Sequence, residues 1–132
     1  ASVMAGKLFS AGQTCIAPDY LLLPRARMPE MLEALRVAAT ALHGRPGHPD
    51  LAAIARPSDR ERLLALLDGH EAVPLLDPMP EAPRLGPWAI PDPDPGSRLM
   101  REEIFGPLLP LVPYVDPEEA VAFANARPVP LA

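Results

Sequence analysis

The sequence predicts an α/β fold, in which helices connect the strands of one sheet. Short apolar runs bounded by proline or glycine are typical of buried strands, and segments whose apolar residues recur every three or four positions are typical of amphipathic helices. Here the two patterns follow in the order strand, helix, helix, strand, strand, helix. This order fits crossover connections within an α/β layer, and 132 residues are long enough for one domain with its own core.

Proline and glycine delimit the elements of the first half. Residues 1–10 contain no helix breaker except Gly6 and predict the last turns of a helix. Residues 20–23 form a short apolar run flanked by prolines, which predicts a buried strand. A helix is predicted from Pro29, whose missing N–H would be unpaired at a first helical position anyway, to a stop at Gly44. Its apolar stripe consists of Leu32, Leu35, Ala39 and Leu42.

The second half predicts two helices and three strands. Ser58 followed by Glu61 is a capping-box pattern and predicts the start of a helix that Gly69 ends. The buried stripe of this helix is Leu63, Leu66 and Leu67. Asp116 as N-cap and Pro117 after it predict a last helix that ends at residues 127–128, with Val121, Phe123 and Ala124 on its apolar side. Strands are predicted over 72–76, 85–90 and 108–115, the last with a protected or edge backbone because it contains two prolines.

Composition argues against several classes of function. The net charge of −5 argues against nucleic acid as a partner, because phosphate binding needs a basic face. No apolar run is long enough to span a bilayer, and no signal peptide opens the chain. The single cysteine cannot form an intrachain disulfide, which favours a reducing, cytoplasmic location. Proline is abundant, at 20 residues, and its densest stretch, 73–95, predicts a long irregular connection over the surface.

Cys15 is the first candidate for chemistry. A lone cysteine is most often a small buried hydrophobe, and the residues alone leave that alternative open. Gly12, however, lets the backbone approach a ligand closely, and Gln13 and Thr14 are polar within an apolar stretch. If a helix began just beyond Cys15, its free N–H groups would stabilise a thiolate, which is the nucleophilic form of the side chain.

A pair of acids, Glu102 and Glu103, is the second candidate. Such a pair is usually a helix cap or a solvated face. Here it precedes Ile104, Phe105 and a Gly-Pro turn that cannot continue as a helix, which argues against a cap. An acid beside Phe105 could bind a hydroxylated ligand, with the ring as a flat apolar wall. His43, His48 and His70 show no metal-ligand spacing, and no glycine-rich phosphate loop is present, so no metal is predicted.

Three motifs together resemble the aldehyde dehydrogenase superfamily, in its class 3 and coniferyl-type branch. GQTCIAPDY, residues 12–20, resembles the family's nucleophile motif. REEIFGPLLPLVPY, residues 101–114, resembles its E-E-I-F-G-P motif, and the ending ARPVPLA resembles R-P-x-P-L-A. The resemblance runs from the first residues to the last and implies a three-layer α/β/α catalytic domain.

The resemblance also implies roles for individual residues. Cys15 would be the thiol nucleophile, and Gln13 would belong to the loop that shapes its site. Glu103 would bind the nicotinamide-side ribose of NAD or NADP, and Phe105 would pack near the nicotinamide. The implied reaction is oxidation of an aromatic or medium-chain aldehyde, in an enzyme that forms a homodimer.

Other parts of the family pattern are not found in these 132 residues. In the family, the glycine-rich nucleotide-binding domain, the general-base Glu and the oxyanion Asn precede the nucleophile, and a further strand, helix and oligomerisation segment follow. We therefore expect an incomplete catalytic domain, residues 1–132, that is inactive by itself. Two alternatives stay open: a non-catalytic remnant used for binding or assembly, and a cysteine hydrolase that uses the same thiol without NAD.

Overall fold

The computed structural model describes residues 2–45 and 47–129, and one four-stranded sheet lies at its centre. The strands are β1 (Leu21–Pro24), β2 (Val73–Pro74), β3 (Trp88–Pro91) and β4 (Leu108–Tyr114). Their order across the sheet is β1-β4-β3-β2; β4 runs parallel to β1 and β3, whereas β2 is antiparallel to β3. The predicted α/β class is confirmed.

Four helices accompany the sheet: α1 (Ser2–Leu8), α2 (Met28–His43), α3 (Pro57–Ala65) and α4 (Pro117–Asn125). Gly44 ends α2 as predicted, and its N–H donates to the Thr40 carbonyl at 2.8 Å. The predicted capping box of α3 is wrong, because Ser58 lies inside the helix and Arg56 occupies the N-cap position. Pro57, at the first helical position, already has the helical φ and has no N–H to cap, so the helix starts two residues earlier than predicted.

The helices cover both faces of the sheet. On one face, Met4 and Leu8 of α1 and Leu35 and Ala39 of α2 share a buried cluster with Leu23, Ala89, Leu109 and Leu111. On the other face, Leu63 of α3 and the following Leu66 are buried with Ile90, Leu99, Ile104 and Leu108. The predicted three-layer α/β/α arrangement is confirmed, and α3 is the helix that faces the residues preceding β4.

β4 is a central strand, so the edge interpretation of its two prolines is wrong. The carbonyls of Pro107 and Leu111 accept bonds from Trp88 and Asp92, which shows that odd-numbered residues of this strand bond towards β3. The backbone nitrogen of Pro110 therefore faces β1, which pairs with β4 only from Leu111 onwards. The backbone nitrogen of Pro113 faces β3, which pairs with β4 only as far as Leu111. Each missing N–H lies just beyond the paired stretch, so neither proline removes a ladder bond.

Two further expectations need correction. The connection between β2 and β3 does not run only over the surface, because Leu75, Leu76 and Leu85 within it are buried. The predicted apolar side of α4 is not buried, and Val121 is 60% exposed. The predicted strands over 72–76 and 85–90 form as shorter strands, β2 and β3.

Candidate active site

The chain turns sharply just before Cys15. After α1, the backbone of Phe9–Gly12 makes a tight kink in which Ser10, Ala11 and Gly12 all have positive φ, at 51°, 55° and 74°. This left-handed backbone is disfavoured for residues with a Cβ. Ala11 and Gly12 are buried, so the turn is held by tertiary packing against the rest of the domain.

The turn brings Gly12 into direct contact with Gly106. A Cβ added to Gly12 would overlap the carbonyl oxygen of Gly106 and come within 2.7 Å of its carbonyl carbon. Only glycine allows the two backbones to approach so closely. The segment around Cys15 and the segment around Glu103, far apart in the sequence, therefore meet at these two glycines.

Gln13 fixes the same loop to the segment that leads into α3. Its side-chain amide donates to the carbonyls of Ser10 at 2.9 Å and Ala53 at 3.0 Å. Its side-chain oxygen accepts the N–H of Ala55 at 2.9 Å. The side-chain amide thus bonds to backbone groups of both segments and holds the loop in place.

Cys15 lies in a second, exposed turn over residues 14–17, the cysteine turn, in which the N–H of Ala17 donates to the carbonyl of Thr14 at 3.2 Å. Within the described residues its side chain is exposed and is not packed in the core. No helix begins beyond it, because the next element is β1 at Leu21. The residues that follow Cys15 therefore provide no helix N–H groups that could stabilise its thiolate.

Lys7 is a buried cation beneath this turn that the sequence interpretation missed. The side chain is 1% exposed and its Nζ donates to the carbonyl of Pro18 at 2.8 Å. Burial lowers the pKa of Lys7 from 10.5 to about 8, against the opposing attraction of Asp19. The available signal was its position, the only lysine of the chain, among the apolar residues of α1.

The two adjacent acids have different environments. Glu102 accepts a hydrogen bond from Arg98 Nε at 2.7 Å, and this pairing lowers its pKa. The carboxylate of Glu103 forms neither a hydrogen bond nor an ion pair within residues 2–45 and 47–129. The pKa of the Asp19 carboxyl is raised, mainly by desolvation and to a smaller extent by the negative charge of Glu103. Asp19 as a whole residue is nevertheless exposed.

Phe105 is held in an unusual backbone conformation between two anchored neighbours. Its φ is 46°, in the left-handed region, and the residue is 43% exposed. Ile104 before it is buried, and Gly106 after it packs so closely on Leu63 that a Cβ there would lie 2.6 Å from Leu63 Cδ1. The ring is thereby presented outside the core while its neighbours are fixed.

The far side of the cysteine turn packs against α4. The rings of Tyr20 and Phe123 meet edge to face with centroids 5.3 Å apart. The guanidinium of Arg127 lies over the Phe123 ring at 3.7 Å, a favourable cation–π contact. These contacts secure the residue that leads from the turn into β1.

Neither a metal centre nor a membrane helix is found in the part of the chain that the structure describes. No group of three or more His, Cys, Asp or Glu residues there is arranged to hold an ion. None of its helices has the length and apolarity needed to cross a bilayer. Two of the three histidines that the sequence left without a role lie close together: His43 is the last residue of α2, and the ring of His48 bonds the carbonyls of His43 and Pro78.

The fold and the two motifs point to one family. All 132 residues match the model of the aldehyde dehydrogenase family, and the chain belongs to that family. Within it, 38% of residues are identical to aldehyde dehydrogenase family 3 member A2 of Mus musculus, over 96% of this chain and 27% of that protein. A probable coniferyl aldehyde dehydrogenase of Pseudomonas aeruginosa is also 38% identical, over 96% of this chain and 28% of that protein.

Solved structures show the same fold. The substrate-bound aldehyde dehydrogenase AldH of Staphylococcus aureus superimposes with a TM-score of 0.86 at 31% identity, over 98% of this chain and 29% of its own. A C291A mutant of aldehyde dehydrogenase C from Pseudomonas syringae, complexed with NAD+ and octanal, superimposes with a TM-score of 0.75 at 28% identity. The match covers 94% of this chain and 28% of that one.

The predicted resemblance to the class 3 and coniferyl-type branch is confirmed by the curated relatives, of whose length the chain spans just over a quarter. The last three residues of the motif ARPVPLA lie outside the described residues.

Proposed function

We propose that residues 1–132 are part of the catalytic domain of an NAD(P)-dependent aldehyde dehydrogenase, with Cys15 as the nucleophile. One observation carries the proposal: the Gly12–Gly106 contact joins an exposed cysteine turn to a segment with a free carboxylate and an exposed aromatic ring. A covalent aldehyde oxidation needs a thiol and a cofactor pocket side by side.

The thiolate of Cys15 attacks the carbonyl carbon of an aldehyde and forms a thiohemiacetal. Loss of hydride from that carbon leaves a thioester on Cys15, and water then releases the carboxylic acid and returns the thiol. The bound nicotinamide cofactor supplies the hydride acceptor. By the resemblance, the Glu that activates water and the Asn that binds the oxyanion lie in segments that precede the nucleophile, and we propose that they act from there.

The residues present suit a dinucleotide. Glu103, whose carboxylate has no partner in the described part of the chain, can accept hydrogen bonds from ribose hydroxyls, and the exposed ring of Phe105 can pack against a flat heterocycle. Glu102 is not suited to this role, since Arg98 occupies its carboxylate. Gln13 supports the loop through its bonds to backbone groups.

The relatives suggest the class of substrate. One is described as a probable coniferyl aldehyde dehydrogenase, and a solved neighbour contains octanal. Aromatic and medium-chain aldehydes are therefore the substrates to test first, with NAD+ and NADP+ in parallel.

The intact motifs around Cys15 and Glu103 favour a nucleophile over a non-catalytic remnant, because a drifting remnant has no reason to keep both. The hydrolase alternative uses the same thiol and differs only in its independence of NAD(P)+. Reading the coding sequence upstream of Ala1 tests the assignment to a larger catalytic domain: an in-frame ELGGK-like segment supports it, and a start codon at that point contradicts it.

The activity test uses the protein that carries this chain, with coniferaldehyde or octanal and NAD(P)+. Cys15→Ser should lower the rate of NAD(P)H formation at least about a thousandfold, as loss of a nucleophile does. Glu103→Gln should raise KM for the cofactor, whereas Glu102→Gln, the matched control, should leave it near the wild-type value. Cofactor-dependent activity retained by Cys15→Ser overturns the assignment, and p-nitrophenyl acetate hydrolysis without aldehyde oxidation supports the hydrolase alternative.

A further inference from the structure

The side chain of Arg62, in α3, donates hydrogen bonds to the carbonyls of the two residues that precede Phe105. Its Nη1 donates to the carbonyl of Glu103 at 3.2 Å, and its Nη2 donates to the carbonyl of Ile104 at 2.7 Å. Within the described residues Arg62 forms no ion pair with a carboxylate. A guanidinium usually uses this planar fork on an acid or a phosphate, so its use on two consecutive carbonyls calls for a reason.

The reason lies in the conformation of the residue that follows. Phe105 has a φ of 46°, which a residue with a Cβ rarely adopts unless its surroundings impose it. Orienting the carbonyls of Glu103 and Ile104 fixes the two peptide planes before it. Those planes set the directions in which the Glu103 and Phe105 side chains leave the backbone.

α3 itself is anchored on the other side of the site. Leu63, the next residue along the helix, is fully buried against Gly106, and Gly106 contacts Gly12. The segment before α3 is bonded by Gln13 at Ala53 and Ala55. Arg62 therefore acts from a helix that is already fixed relative to the cysteine turn.

The geometry points to Arg62 as a positioning residue, which holds Glu103 and Phe105 in the orientation that a dinucleotide needs relative to Cys15. This inference rests on the proposed function, and it deepens it by naming the residue that sets the cofactor side of the site. Arg62 does not touch the ligand; it acts through the two carbonyls.

The test compares Arg62→Met, Arg62→Lys and a control, Arg60→Met. Arg60 lies on the same helix, and among the described residues its side chain makes only a long contact of 3.5 Å to the carbonyl of Arg84, so its variant removes a cation without freeing the loop. The first readout needs no cofactor: hydrogen–deuterium exchange of the peptide spanning residues 102–107 in the protein that carries the chain. The second is KM for NAD(P)+ against kcat in the protein that carries the chain, with the rate of Cys15 alkylation by iodoacetamide measured alongside.

We expect Arg62→Met to speed exchange in residues 102–107 at least about tenfold and to raise KM for NAD(P)+ by a similar factor, with Cys15 alkylation unchanged. Arg62→Lys should be intermediate, because one ammonium cannot reproduce the planar fork, and Arg60→Met should match the wild type. If Arg62→Met does not fold, Arg62→Lys is assessed by the same criteria.

Unchanged exchange and KM, or equal changes in Arg60→Met, overturn the inference. A parallel change in Cys15 alkylation also overturns it, since it indicates a general loss of structure. A wild-type protein that oxidises no aldehyde with either cofactor refutes the proposed function instead, and the exchange readout still decides whether Arg62 holds the loop.

Discussion

The carbonyl of Gly106 lies directly against the α-carbon of Gly12, and this contact joins the two segments of the candidate site. Gly12 has a φ of 74° and is buried, so both its conformation and its surroundings exclude a side chain. Gly106 in turn is packed on Leu63 of α3. The cysteine turn, the Glu103–Phe105 segment and α3 are thus linked through contacts that tolerate no added carbon atom.

Gly12→Ala should destabilise the domain far more than a positive φ alone explains. Left-handed strain and overpacking together should cost roughly 3 kcal/mol or more of the free energy of unfolding. Gly69→Ala is the matched control, because Gly69 has a φ of 80° but nothing lies within 4 Å of the place where its Cβ would be. It should cost only about 1–2 kcal/mol. Urea denaturation of both variants measures the difference, and equal losses would show that the contact with Gly106 is not tight.

Gly106→Ala and Leu63→Ala should compensate one another. Gly106→Ala places a methyl group against Leu63 and should cost about 1–3 kcal/mol, while Leu63→Ala opens a cavity and should cost about 2–5 kcal/mol. In the double variant the new methyl occupies part of that cavity, so the combined loss should fall short of the sum by at least about 1 kcal/mol. A double-mutant cycle in urea measures this coupling; strictly additive losses contradict the packing described.

Lys7 should make stability rise with pH in the alkaline range. In the unfolded chain Lys7 keeps its proton to about pH 10.5, whereas in the folded chain burial lowers its pKa to about 8. Between these values the unfolded chain binds more protons, so the free energy of unfolding increases with pH, by an amount on the order of 3 kcal/mol.

Lys7→Met isolates this contribution, because other alkaline groups titrate in both proteins. The stability of the wild type minus that of the variant should increase between pH 8 and 10.5 and be constant below pH 7. A pH-independent difference would mean that Lys7 is not buried in the folded chain.

Gln13→Ala should loosen the cysteine turn without unfolding the domain. Three hydrogen bonds to Ser10, Ala53 and Ala55 are lost, in a partly exposed place where water replaces some of them, so the cost should be about 1–3 kcal/mol. The amide of Ala55 should exchange faster with solvent. Gln13→Glu keeps the acceptor for Ala55 but loses both donors, so it should retain protection at Ala55 and still be destabilised; faster exchange at Ala55 in both variants would contradict the assigned amide orientation.

Much of the fold follows from local signals. The strands and helices were predictable because apolar periodicity and proline or glycine boundaries coincide, as at Gly44 and in β4. The central position of β4 was not, since the tolerance of Pro110 and Pro113 depends on where two neighbouring strands begin and end. A sequence carries no direct sign of such register.

The same distinction holds for the site. Cys15, Glu103 and Phe105 were recognisable as candidate site residues from their motifs, but the contacts of Lys7 and Arg62 were not. Each of these cations binds a backbone carbonyl outside its own helix, Pro18 for Lys7 and Glu103 for Arg62, and carbonyls are present at every residue. Only the fold selects which ones they meet.

The central claim is that Cys15 forms the covalent bond to the substrate, and peptide mass spectrometry tests it most directly. The protein that carries this chain is mixed with octanal and NAD(P)+ and quenched in acid within the first turnover. The account predicts that the peptide containing Cys15 gains the mass of an octanoyl group, and that Cys15→Ser shows no adduct and no NAD(P)H. An acyl group on any other residue, or NAD(P)H formation by Cys15→Ser, would contradict it.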